Sequence, residues 1–156
     1  LINYFYSVKK YYYLVHIQYL GFRFHGWAKQ TNLKTVHQMI DKTLSFALEH
    51  NNFKTFGASR TDALVSANQS AFELFMTQPI PSNFLEIFNK NLPQDIRGMQ
   101  VEEVDESFNI IQTPKLKEYI YLFSFGEKVH PFSASMISSF TYDLDIELMK
   151  QGAVLF

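Results

Sequence analysis

The chain has 156 residues, is 47% apolar and 17% aromatic, and carries a formal charge of −1 at pH 7. That length suits one domain hiding roughly 68–70% of its unfolded surface, and so aromatic a composition excludes disorder. Cysteine is absent, which excludes disulfide frameworks, iron–sulfur clusters, thiolate zinc sites and a Cys nucleophile.

Charge is uneven along the chain. Residues 1–60 balance to +6 and the remainder to −7, which predicts a local basic face. No stretch reaches the ~20 apolar residues of a membrane span; Tyr11 to Phe22 is interrupted by His16 and Gln18. The first residues lack a basic start, an apolar run and a small-residue cleavage site, so no signal peptide is read. With no cysteine, a cytoplasmic protein is expected.

In chain order, Tyr12 to Tyr19 is β-branched and aromatic and predicts a strand. Residues 20–35 hold Gly21, Gly26 and Asn32 and predict a loop. Thr35-Val36-His37-Gln38 has capping-box spacing. Val36, Met39, Ile40, Leu44, Ala47 and Leu48 then recur at helical spacing, predicting a helix over 36–49. A short strand follows from Phe53 to Phe56, then a loop from Gly57 to Val65, then a strand from Gln69 to Met76. Ser82 or Asn83 can cap a second helix with Phe84, Leu85 and Phe88 on one face, closed by Pro93. Arg97 to Val104 and Tyr119 to Phe125 predict two further strands. Asp143 or Asp145 can start a last helix running toward Leu155.

The order β-α-β-β-α-β is that of the ferredoxin-like split βαβ fold. The expectation is one α+β domain over residues 1–156, an antiparallel sheet with helices on one face.

Two loops concentrate chemistry. Residues 19–30, YLGFRFHGWAKQ, place Arg23, Trp27 and Lys29 in a glycine-bearing loop. Aromatic faces stack bases and cations meet phosphates; equally, such a loop can close over the core. Residues 57–67, GASRTDALVSA, place Arg60 and Asp62 between two strands. A guanidinium beside a half-buried carboxylate keeps it ionised, and an ionised Asp can act as nucleophile or general base. An Arg–Asp pair in a turn can equally be structural. The histidines His16, His25, His37, His50 and His130 show no metal-ligand spacing, so no metal is expected.

Taken in order, these segments resemble the TruA family of tRNA pseudouridine synthases. The family's Tyr-Asp-Gly-Thr…Phe-x-Gly-Trp-Gln-x-Gln is YLGFRFHGWAKQ here. Its Thr-Val-Gln helix start is Thr35-Val36-His37. Its Gly-Ala-Gly-Arg-Thr-Asp-Ala-Gly-Val-His-Ala is GASRTDALVSA. Its Leu-Pro-x-Asp-Ile-Arg is Leu92-Pro93-Gln94-Asp95-Ile96-Arg97. Its Phe, followed by a Lys-x-Tyr-x-Tyr strand, is Phe108 with Lys117-Glu118-Tyr119-Ile120-Tyr121.

The resemblance implies roles. Asp62 falls on the catalytic Asp, and Arg60 on the Arg that engages the RNA beside it. Tyr119 falls on the Tyr that packs on the target base. Arg23, Trp27 and Lys29 fall in the RNA-facing region. It also implies a tRNA partner, a homodimer, no cofactor, and a second, similar half that completes the cleft. The chain would then be the N-terminal half, ending at Phe156 as that half begins.

Several positions depart from the family pattern: Leu20, Phe22, Ser59, Leu64, Ser66 and Ile111. Where the family has Gly after Asp-Ala, a glycine φ above zero would force Leu64 into a different backbone. Leu20, Leu64 and Ile111 leave open a catalytically inactive RNA-binding or assembly module. A ferredoxin-like interaction domain that meets no nucleic acid is also open.

Overall fold

The organising strand is β1, Tyr11–Tyr19. Its odd positions Tyr13, Val15, Ile17 and Tyr19 are buried, and its even positions are half-buried. Strict alternation puts successive side chains on opposite faces, so one face becomes core. A computed structural model describes residues 9–113 and 116–155. It divides the chain into two units, Leu1–Leu116 and Lys117–Phe156.

In the first unit β1 is followed by α1 (Val36–Ala47), β2 (Phe53–Gly57), β3 (Ala67–Met76), α2 (Phe84–Asn91) and β4 (Ile96–Val104). The four strands form an antiparallel sheet in the order β2-β3-β1-β4. That is the α+β, ferredoxin-like arrangement expected. The ladder between β1 and β4 slips between His16 and Ile17, which face Gln100 and Gly98. Met99 is therefore the extra residue of a bulge.

Both helices pack by the faces their spacing dictates. α1 buries Val36, Ile40, Thr43, Leu44 and Ala47. Thr35 caps it, its hydroxyl accepting from the Gln38 amide at 3.4 Å. α2 buries Phe84 and Phe88, whose rings stack at 5.3 Å. Phe72 and Leu74 of β3 meet them from the sheet, both fully buried. Burying each such side chain contributes about 1.5–3 kcal/mol, so this apolar layer dominates the unit's stability.

The second unit holds β5 (Phe123–Phe125), β6 (Ser138–Phe140) and α3 (Ile146–Ala153). β5 and β6 pair in parallel. Asp145 caps α3 by accepting from the Leu148 amide at 2.9 Å. The expected strand from Tyr119 to Phe125 is shortened to Phe123–Phe125. Strand backbone needs a ladder partner, and β6, which the sequence did not announce, supplies only three residues. Tyr119 therefore lies before the strand. Among the described residues, no helix is long and apolar enough to cross a membrane.

Candidate active site

The two motif loops are built as one piece. The first leaves β1 through a short 3-10 turn, Gly21–Arg23, and ends at the Thr35 cap. The second, residues 58–66, joins β2 to β3. The Trp27 amide donates to the Thr61 carbonyl at 3.0 Å. The Leu64 amide donates to the Phe24 carbonyl at 3.2 Å. The Gly21 amide donates to the Ser66 hydroxyl at 2.9 Å. Gly26 makes the contact possible. It sits at φ +84°, and a Cβ there would stand 2.6 Å from the Thr61 carbonyl oxygen.

Trp27 is the pin beneath both loops. It is 3% exposed and lies against Gly57, where any Cβ would meet the indole at 2.4 Å. His37 stacks on the indole at 5.4 Å between ring centroids, and Tyr19 approaches it at 6.0 Å. The Tyr19 hydroxyl lies 3.0 Å from the Thr61 hydroxyl. Burial pushes the Tyr19 phenol above its ordinary range, and the Thr61 hydrogen bond opposes that. It therefore stays neutral and bonds without charge. Trp27 thus takes the core-closing option read from its loop, as buried support beneath the site.

Asp62 stands at the crest of this assembly. Its residue is exposed, and so is Arg60. Among the described residues neither side chain has an ion-pair or side-chain hydrogen-bond partner. The expected Arg60–Asp62 pair is therefore not formed, and the Asp62 carboxylate is not half-buried. In water such a pair contributes only ~0–1 kcal/mol against the entropy of holding two side chains, so hydration wins. What fixes position 62 is backbone. Its carbonyl accepts from the Val65 amide at 3.4 Å, closing a turn with Ala63 and Leu64 at its centre.

Leu64 corrects a second expectation. It keeps a left-handed backbone, at φ +68°. A four-residue turn with positive φ at its third position is of type II, which favours Gly there. Leucine accepts the conformation at a cost of about 1–2 kcal/mol, because the four hydrogen bonds on either side over-determine the path.

The two expected RNA-facing cations hold acids of this chain. The Arg23 guanidinium grips Asp95 Oδ2, with Nε at 3.0 Å. The Asp95 carbonyl also accepts from the Leu20 amide at 2.8 Å, so Asp95 ties the first loop to the start of β4. The Lys29 ammonium pairs with Asp41 of α1. Tyr119 belongs to the second unit, before β5, and is 66% exposed. The sequence reading did not single out Tyr19, His37, Ser66 or Asp95 as site builders. All four had a signal, since each lies within a matched motif, but the contacts they make are ones that no spacing predicts.

Comparison with known proteins agrees with this frame. The chain is 33% identical over 144 residues to tRNA pseudouridine synthase A of Thermodesulfovibrio yellowstonii, a match covering 90% of this chain and 55% of the relative. It is 32% identical over 141 residues to the enzyme of that name from Clostridium kluyveri, covering 90% and 57%. The chain belongs to the TruA family. With tRNA pseudouridine synthase A of Mycoplasma capricolum it is 38% identical over 98 residues, or 62% of this chain and 39% of the relative. No family model matches. The chain spans about half the length of the curated relatives it matches.

Proposed function

We propose that this chain is the N-terminal half of a tRNA pseudouridine synthase, with Asp62 as its catalytic carboxylate. The observation carrying this reading is the construction of the Asp62 loop. The first motif loop holds its backbone, while among the described residues its side chain has no partner. A carboxylate on a fixed backbone with free oxygens is what an electrophilic sugar carbon needs.

The reaction is an isomerisation. The N1–C1′ bond of uridine breaks, the uracil turns, and C5 bonds to C1′. C5 loses its proton and N1 regains one, so atoms balance without a cofactor. Breaking the glycosidic bond develops positive character at the sugar, which a carboxylate stabilises or traps. Asp62 can do so by attacking C1′ or by removing a sugar proton. The uridine must leave its stack. On this reading Arg60 fills the gap in the RNA and Tyr119 packs on the extruded base. Arg23 and Lys29 meet RNA phosphates by exchanging their Asp95 and Asp41 partners, with Trp27 supporting from below. tRNA as substrate, a homodimer and a cytoplasmic location belong to the same proposal.

Tritium release from C5-labelled uridine in tRNA tests it, comparing the protein with its Asp62→Ala variant. Release is expected from the first alone. Equal release from both, above background, removes Asp62 from its role. Ile111, 67% exposed where the family pattern has Arg, favours one second reading: an RNA-binding module without turnover. tRNA binding that falls steeply with salt, with no tritium release, would select it.

A further inference from the structure

We propose that His37 is a positioning residue for Asp62: anchored on Thr55 and stacked on Trp27, it fixes the residue whose amide grips the Thr61 carbonyl. The inference rests on the reading of Asp62 as the catalytic group.

Three contacts join His37 to the loop system. Its own amide donates to the Trp27 carbonyl at 3.1 Å. Its ring lies on the indole at an interplanar angle of 28°. Its Nε2 is 2.7 Å from the Thr55 hydroxyl oxygen of β2. Trp27 then donates to the carbonyl of Thr61, one residue before Asp62. The path from imidazole to catalytic backbone therefore crosses a single residue.

Proton counting assigns the tautomer. Thr55 has one hydroxyl proton, and it donates that proton to Asp41 Oδ1 at 2.6 Å. Its oxygen can only accept from His37, so Nε2 carries a proton. The neutral ring thus has Nδ1 bare, and a second proton there would have to be held in a mostly buried place. The charged groups facing the ring are Asp41 on its own helix, with Oδ1 at 3.6 Å, and Lys29 from the first loop. β2 offers only the uncharged Thr55. Burial pushes the imidazole below its ordinary range, Asp41 pulls it back up, and Lys29 lowers it further. Neutral His37 is the form that fits, and protonation loosens the pin.

Native-state amide hydrogen exchange on this chain tests the inference without any RNA. In His37→Ala the Trp27 and Leu64 amides should exchange at least about tenfold faster, while the Leu92 and Gly98 amides near α2 keep wild-type rates. His37→Phe, which restores the stack, should recover most of the protection at Trp27. A uniform rise at all four amides means general support and overturns the inference; so do unchanged rates at Trp27 and Leu64. Trp27 is the only tryptophan, so its emission gives a second measurement on the unmutated chain. It should titrate with a midpoint below about 6.5, and the step should vanish in His37→Gln. A step that persists unchanged in His37→Gln overturns the stack. A chain that passes these tests yet releases no tritium would fail the Asp62 reading alone.

Discussion

At position 64 the usual order of alanine and glycine should invert. In most ordered sites glycine is less stable than alanine by roughly 0.5–1 kcal/mol, because it loses more freedom on folding. At φ +68° an L-residue pays about 1–2 kcal/mol that glycine does not. The difference leaves Leu64→Gly more stable than Leu64→Ala by about 0.5–1 kcal/mol. Comparing Gly with Ala cancels the packing of the leucine side chain, which is 60% exposed. Ala63 is the control one residue earlier. It shares the turn but lies outside the positive-φ region, so Ala63→Gly should lower stability by roughly 0.5–1 kcal/mol. Urea unfolding midpoints measure both pairs, provided the slope m is unchanged among variants. If Leu64→Ala proves as stable as Leu64→Gly, the left-handed turn at Asp62–Val65 is wrong, and the placement of Asp62 with it.

Three further expectations follow from the same contacts. Asp62→Ala should leave stability within about 0.5 kcal/mol of wild type by urea unfolding, because the carboxylate has no partner to lose among the described residues, while tritium release disappears. Gly57→Ala should destabilise by about 1–3 kcal/mol and shift Trp27 emission, since the added Cβ would meet the indole at 2.4 Å; unchanged emission would refute the contact. Glu73 is 2% exposed and accepts from the Ile110 amide at 3.2 Å, with its other oxygen unpartnered among the described residues. Burial raises its pKa, which the Ile110 bond opposes. The folded state then binds more protons than the unfolded one between the two pKa values, so stability falls as pH rises through that window. Glu73→Gln should flatten that slope and gain of order 1 kcal/mol at neutral pH, read from unfolding midpoints at several pH values.

The sheet and its two main helices were legible because their signals are local. β1 is rich in β-branched and aromatic residues, α1 and α2 repeat at helical spacing, Thr35 caps α1, and Asp145 caps the last helix, α3. β6 was not legible, since Ser138-Ser139-Phe140 carries no alternation and exists only through its pairing with Phe123–Phe125. Of the site, the motif positions could be read, but not their contacts. Adjacency of Arg60 and Asp62 suggested an ion pair, yet in solvent hydration competes with it successfully. Leu64 suggested an altered backbone, yet three long-range hydrogen bonds and the turn's own Val65–Asp62 bond impose the conformation on whatever residue stands there. Nothing in the spacing of His37, Thr55 and Trp27 reveals that they stack and bond, because those contacts depend on α1 meeting β2.

On the proposed reading of Asp62, the same arrangement lets a reactive carboxylate be placed while it has no partner among the described residues. Were Arg60 or a backbone amide to grip its oxygens, each charge-assisted bond would stabilise the ground state by about 1.5–3 kcal/mol. An electrophilic sugar carbon would have to displace that bond before gaining anything. Here the gripping is moved one residue away, to the Thr61 carbonyl, and two away, to the Leu64 amide. Those bonds fix where the Asp62 Cα stands without touching its carboxylate. The cost falls elsewhere, as left-handed backbone at Leu64 and a buried stack of Trp27 on His37. Strain held beside a group, with the group itself unbonded, is the pattern expected where a site is organised before its substrate arrives. It is also why substitutions at 57, 64 and 37 should disturb position 62 more than any change in the charge of residue 60.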